Sequence, residues 1–213
     1  MGSGGPPYRE AVTSAPSTSS PAATWRTAWR AEPGRPWWGI ALGDLLRVAA
    51  LVSVVLAGIL FGGTATALFL FVLGGTMLPR AIGTPAALDI SYCAALLAAA
   101  WCAQLEVYQR VDWLDLVVHA ATTGAIAAVA HQAFARAGLI APARRARASA
   151  ALQIVGLGSV VAVVWELLEW AGYTFVDDTI FVTYPDTLGD LAAGLVGSAV
   201  AAALVARGVR GVA

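Results

Sequence analysis

The chain has 213 residues, 59% of them hydrophobic and only 12% charged, and its mean hydropathy is +0.73. Those values lie outside the range of soluble globular domains and point to a polytopic membrane protein. Formal net charge is zero, which argues against a nucleic-acid partner.

Residues 1–35 are rich in Gly, Ser, Pro, Ala and Thr and show no apolar periodicity, so they read as a disordered tail. No apolar h-region follows a short basic start, which excludes a signal peptide, and Pro6 stands where myristoylation wants Ser or Thr. Trp25, Trp29, Trp37 and Trp38 alternate with Arg26, Arg30 and Arg35, a mixture suited to the lipid headgroup layer.

Six apolar segments follow, near 39–61, 64–79, 86–105, 113–135, 149–173 and 186–206, so residues 36–210 read as one all-α transmembrane bundle. The second is short, roughly 16 residues against the ~20 that span a bilayer core, and is expected to be tilted or partly interfacial. In the first, Asp44 and Arg47 lie three apart near the N-terminal end, as an interfacial ion pair with a snorkelling Arg would. Cys93 and Cys102 fall on opposite faces of the third segment and read as apolar filler.

All 13 basic residues are Arg, which with the abundant Ala suggests a GC-rich bacterial source and hence the plasma (inner) membrane. Placing the N-terminus inside puts Arg9, Arg26, Arg30, Arg35, Arg80, Arg136, Arg144, Arg145, Arg147, Arg207 and Arg210 on the cytoplasmic side, and only Arg110 outside. This positive-inside asymmetry predicts that both termini are cytoplasmic. It also places Glu106, Asp112, Asp115, Glu166, Glu169, Asp177, Asp178, Asp186 and Asp190 on or toward the outer side.

Three of the spans carry those acids into apolar surroundings, where each carboxylate costs roughly 2.5–3.5 kcal/mol on insertion scales. Asp112, Asp115 and His119, spaced three and four apart, share one helical stripe; Glu166 and Glu169 share another, and Asp186 and Asp190 a third. At the helical rise His119 and Glu166 lie roughly 10 Å in from the outer helix ends and Asp190 about 6 Å. Gly194, Gly197 and Ser198 continue the last stripe inward and permit close packing, and Thr122 or Thr123 could hydrogen-bond beside His119. Taken singly these residues have plainer readings: Asp186 as a helix N-cap, Asp177 and Asp178 as solvated loop charges, His119 as a hydrogen-bonded bundle residue. Taken together they outnumber Arg110, so a bound cation or shared protons must balance them. Carboxylates with one imidazole and no thiolate suit a divalent ion such as Mn, Mg, Zn or Fe(II). The candidate ligands are Asp115, His119, Glu166, Glu169 and Asp190, with Glu169 and Asp186 as the candidate general bases.

In these residues, Asp115-Leu-Val-Val-His119, Trp165-Glu166-Leu-Leu-Glu169-Trp170 and Asp186-Thr-Leu-Gly-Asp190 before Gly197, the chain resembles the YjdF-like family of bacterial inner-membrane proteins. The resemblance covers roughly residues 40–206. It implies a polytopic membrane protein with these acids and the His as signature positions, and implies no particular reaction. More distantly the order of helices is similar to VanZ-like proteins, which usually carry Asn where Gly194 stands here.

Three functions remain open on the sequence. One is a metal-dependent hydrolase or transferase acting on a lipid or lipid-linked group at the outer leaflet. Another is a cation or proton transporter using the same carboxylates. The last is a non-catalytic scaffold for a membrane partner. The sequence does not fix an oligomeric state. The inner halves of the fourth, fifth and sixth spans read as dry, with His131 as an interfacial residue rather than a relay, and this favours a site open only outward.

Overall fold

The computed structural model describes residues 36–140 and 147–208. The tail expected over residues 1–35 lies outside the described residues, as do Arg144, Arg145 and Arg210 of the orientation argument. Among the described residues every regular element is helical, and six helices are long and apolar enough to cross a membrane. They are α1 Trp37–Leu60, α2 Gly63–Ala81, α3 Ala86–Gln104, α4 Asp112–Arg136, α5 Arg147–Phe175 and α6 Tyr184–Gly208. Each matches an apolar segment of the sequence, and the chain is a multi-pass membrane protein.

The second helix is longer than its apolar run. It has 19 residues, about 28 Å at the helical rise, and so can cross a ~30 Å hydrocarbon core without being interfacial. The helix continues through Pro79 in its last turn, where the ring removes one backbone donor. Closure comes at Gly83, whose φ of 63° is a left-handed conformation that glycine adopts without a Cβ penalty. There Thr84 N–H donates to the Pro79 carbonyl at 2.9 Å.

Helices α1, α2 and α3 pack on one another, α4, α5 and α6 do the same, and the two triplets meet along α3 and α4. The first triplet has a conventional apolar core of Ala50, Ala57, Phe69, Val72 and Leu97. Trp101 stacks on Phe69 with ring centroids 4.8 Å apart and donates its indole N–H to Ser53 Oγ at 3.0 Å. Tyr92, Cys93 and Val129 form the seam between triplets. Large side chains such as Leu45, Val55, Leu152, Val160 and Leu204 are exposed, as lipid-facing residues of spans must be.

One expectation for α1 is overturned. The Asp44–Arg47 pair forms, but Arg47 does not snorkel: it is 6% exposed, between α1, α2 and α3. Its guanidinium donates to the Asp89 carboxylate, to Asp44 Oδ1 at 3.3 Å and to the Thr76 carbonyl at 3.0 Å, while Arg80 Nε stands 3.7 Å from Asp44. Gly43 makes the space, since a Cβ there would come within 2.9 Å of Asp89 Oδ2 and 3.0 Å of Arg47 Nη1. A buried guanidinium is tolerated because it has acceptors on all three helices, whereas an interfacial pair would leave Asp89 to face the apolar interior.

Candidate functional site

The second triplet holds the acids at the end of the bundle that carries the α3–α4 and α5–α6 connections. Asp115 and His119 sit one turn apart near the start of α4, Glu166 and Glu169 in the last three turns of α5, and Asp190 in the second turn of α6. The start of α6 is fixed by Thr183, whose hydroxyl accepts the N–H of Asp186 at 3.4 Å, the usual bond of a Thr N-cap to the third helical residue. Thr183, not Asp186, is therefore the cap, and Asp186 stands one turn nearer the helix end than Asp190.

Within this frame the side chains converge on Asp190. One group of donor atoms comes from Asp115, His119 and Asp190, and a second from Glu166, Glu169 and Asp190; within each group the atoms lie within 4.8 Å of one another. His119 stands between two aspartates, with Nε2 3.4 Å from Asp115 Oδ1 and Nδ1 3.8 Å from Asp190 Oδ1. Asp190 is only 3% exposed and Glu166 is buried, while Asp115, His119 and Glu169 are half-buried toward the helix ends. Thr187 lies beside the Glu166 carboxylate, and the indole of Trp165 beside that of Glu169. Every residue named from the sequence as a ligand thus belongs to one cluster. Asp186 is the member that neither donor group includes; it lies near His119, Asp115 and Glu166. The side chain of Asp112 lies outside what the structure describes.

Directly beneath the acids the three helices touch through glycine. A Cβ on Gly194 would meet Ala162 Cβ at 3.1 Å and Thr123 at 3.3 Å. One turn further, a Cβ on Gly197 would fall 1.8 Å from the Ala120 carbonyl oxygen, and one on Gly124 would fall 2.5 Å from that of Gly197. Gly158 accommodates Ser198 in the same way, with a Cβ position 1.8 Å from its Oγ. Hydroxyls in this layer turn back on their own helices: Ser198 Oγ donates to the Gly194 carbonyl at 2.7 Å and Thr122 Oγ1 to that of Val118 at 2.7 Å. Thr122 also donates to the His119 carbonyl at 3.3 Å, so it bonds the backbone of α4 rather than the imidazole. In this layer the α4–α6 and α5–α6 contacts are too close for a methyl group.

Above the acids the mouth is polar at its centre and aromatic at its rim. Asp177 Oδ1 accepts both the N–H of Thr179 at 3.0 Å and its hydroxyl at 2.6 Å, which holds the carboxyl below its ordinary range and fixes a short turn at the surface. Trp113, Trp170, Phe175, Phe181 and Tyr184 are exposed around this end, in the manner of an interfacial aromatic belt.

Two residues escaped the sequence reading, Tyr108 near the cluster and Asp89 at the other end of α3. Tyr108, in the α3–α4 connection, donates its hydroxyl to the Ala99 carbonyl at 3.2 Å. Burial pushes its phenol well above the usual range, and the nearby Cys102, Asp115, Glu169 and Asp190 add to the shift. Its signal was faint, a lone aromatic in a short connection leading to Asp112. Asp89, which completes the Arg47 network, had a clearer signal as the one charge in α3. His131 is 4% exposed and lies beside Gln153 near the C-terminal end of α4. The imidazole is held between helices, where a long α4 carries it inside the bundle end rather than past it.

No curated protein and no solved structure matches the chain. A family model does, over residues 42–211, a range that takes in all six helices apart from the first turn of α1 and includes every member of the cluster. It supports the likeness to the YjdF-like family and adds nothing to the looser one to VanZ-like proteins. The chain belongs to the family of predicted membrane proteins designated DUF2238.

Proposed function

We propose that this protein is a membrane-embedded, metal-dependent hydrolase or transferase whose site opens to the outer face of a bacterial inner membrane. Its substrate is a lipid or lipid-linked group entering from the outer leaflet past the aromatic rim. The observation that carries this reading is the convergence of the two donor groups on buried Asp190, above close glycine contacts between the helices. A divalent ion there would act as a Lewis acid and lower the pKa of a coordinated water. Asp115, His119 and Asp190 in one group, and Glu166, Glu169 and Asp190 in the other, would hold the metal. Glu169, half-buried at the cluster edge, and Asp186, one turn nearer the mouth, are placed to accept the proton released on attack. Trp165 and Thr187 orient the two glutamates. The outward direction rests on the Arg asymmetry of the sequence, and both termini then lie in the cytoplasm.

The test uses the detergent-purified full chain, with bound metal measured and a total lipid extract of the source bacterium as substrate. A lipid consumed by the wild type with Mn²⁺, but not by Glu169→Gln or after chelation, supports the reading. Metal-free protein that alters no lipid overturns it.

One observation favours a second reading, cation transport: buried His131 stands beside half-buried Gln153 beyond the glycine layer. Uptake of Mn²⁺ by liposomes containing the protein, abolished by both Glu166→Gln and His131→Ala, would install transport in place of hydrolysis.

A further inference from the structure

We propose that the cluster takes two divalent cations at once, with the carboxylate of Asp190 bridging them. The inference rests on the metal-dependent reading above and adds to it the number of ions and the residue that joins them. Asp190 alone belongs to both donor groups; Asp115 and His119 do not share a set of mutually close atoms with Glu166 and Glu169. A single ion therefore cannot be reached by all five side chains where they stand. Ligands at ~2.1 Å from an ion are at most about 4.2 Å apart, so each group, whose atoms lie within 4.8 Å, needs only small side-chain rotations to close. Asp190 has two oxygens, one for each ion, and two-metal centres with ions ~3.5–4 Å apart are spanned by such a carboxylate.

Asp190 also carries the independent mark of a missing ligand. It is 97% buried by its 3% exposure, yet no hydrogen bond reaches it among the described residues, and His119 Nδ1 at 3.8 Å is outside bonding range. A second acceptor in the cluster, Asp115 Oδ1, is buried without a hydrogen bond. Buried carboxylate oxygens are normally satisfied, and here the facing His119 ring, 3.4 Å from Asp115 and 3.8 Å from Asp190, makes a hydrogen bond to neither. Charge leads to the same count. The four carboxylates of the two groups carry four negative charges when ionised, and among the described residues no Arg pairs with them. One divalent ion leaves half of that charge in the bundle interior, whereas two neutralise it. Four carboxylates and one imidazole suit Mn²⁺ or Fe²⁺ better than thiophilic ions.

The experiment loads the full chain in detergent with Mn²⁺, removes excess ion, and reads metal per chain together with the electron paramagnetic resonance spectrum. Wild type is expected to hold two Mn²⁺ per chain with the multiline spectrum of an exchange-coupled pair. His119→Gln and Glu169→Gln should each keep one ion with the six-line spectrum of isolated Mn²⁺, and Asp190→Asn should fall below one. The two single-site variants keep the test alive should Asp190→Asn fail to fold. Wild type with one ion, or Asp190→Asn with two, overturns the pairing while leaving a mononuclear enzyme standing. Two coupled ions without lipid turnover uphold the pair and sink the hydrolase reading alone.

Discussion

Gly197→Ala tests whether the site depends on backbone contact beneath it. The added methyl would stand 1.8 Å from the Ala120 carbonyl oxygen and 2.5 Å from its carbon, both rigid parts of α4. Reaching even ~3.0 Å requires α4 and α6 to part by about 1.2 Å, and no rotamer change can relieve a clash with backbone. Overpacking of this kind costs ~1–3 kcal/mol, and contact with main chain rather than with a mobile side chain puts this case near the upper end, about 3 kcal/mol. The same parting carries Asp190 away from His119, already 3.8 Å apart, so that the Asp115–His119–Asp190 group opens. Gly156→Ala is the control, because nothing lies within 4 Å of its Cβ position and Ala is the better helix former. Thermal unfolding in detergent, followed by tryptophan fluorescence, should show Gly197→Ala melting well below wild type and Gly156→Ala at or above it. Mn²⁺ retention should fall in the first variant only. A Gly197→Ala protein that melts and binds metal as wild type does would refute the packed-floor argument.

Arg47→Met removes the guanidinium shared by Asp89, Asp44 and the Thr76 carbonyl and should cost about 3–5 kcal/mol in detergent unfolding; a loss below ~1 kcal/mol, the scale of a surface pair, would restore the interfacial reading of Arg47. Tyr108 has its folded pKa raised above the unfolded value near 10, so the unfolded chain gives up its proton first and stability should fall as pH rises through and beyond ~10. Tyr108→Phe should flatten that alkaline limb, and an unchanged limb would remove Tyr108 from its buried place. Reporter fusions after Gly62, Glu106 and Asp177 should read as extracytoplasmic, and those after Arg80, Arg145 and Arg210 as cytoplasmic; an outside reading at Arg145 would invert the site.

Segment count and membrane class were legible because a span must be apolar over its whole length, a constraint every residue from Trp37 to Gly208 reports. The cluster was legible for a related reason. Each acid in an apolar run is expensive, so Asp115, Glu166 and Asp190 stood out singly, and helical spacing placed their partners. Arg47 was misplaced because its partner Asp89 is 42 residues away, and local spacing offered only Asp44. Spacing sees neighbours three or four apart and not the crossing helix. For His131, distance from a helix end says how deep the residue is, not whether another helix covers it. The end of α2 was lost because Pro79 reads as a stop, whereas a proline in the last turn sacrifices only one bond.

The two triplets carry their polar residues at matching places of the three-helix order, and these places lie at opposite ends of the bundle. In α1–α3 polar residues stand near the start of the first helix at Asp44 and Arg47, at the end of the second at Arg80, and near the start of the third at Asp89. In α4–α6 the same three places hold Asp115 and His119, then Glu166 and Glu169, then Asp186 and Asp190. Three crossings separate corresponding helices, so the frames open at opposite ends, as inverted repeats do in other membrane proteins. In the first frame two carboxylates face two guanidiniums, and the protein supplies its own counter-charge. In the second, Glu166 and Glu169 stand where the first has Arg80, and His119 is the one basic side chain of the two donor groups. Arg fixed between three helices can only hold them together. On the proposed reading, the carboxylate set at the matching place would instead bind a cation that can exchange and polarise a substrate.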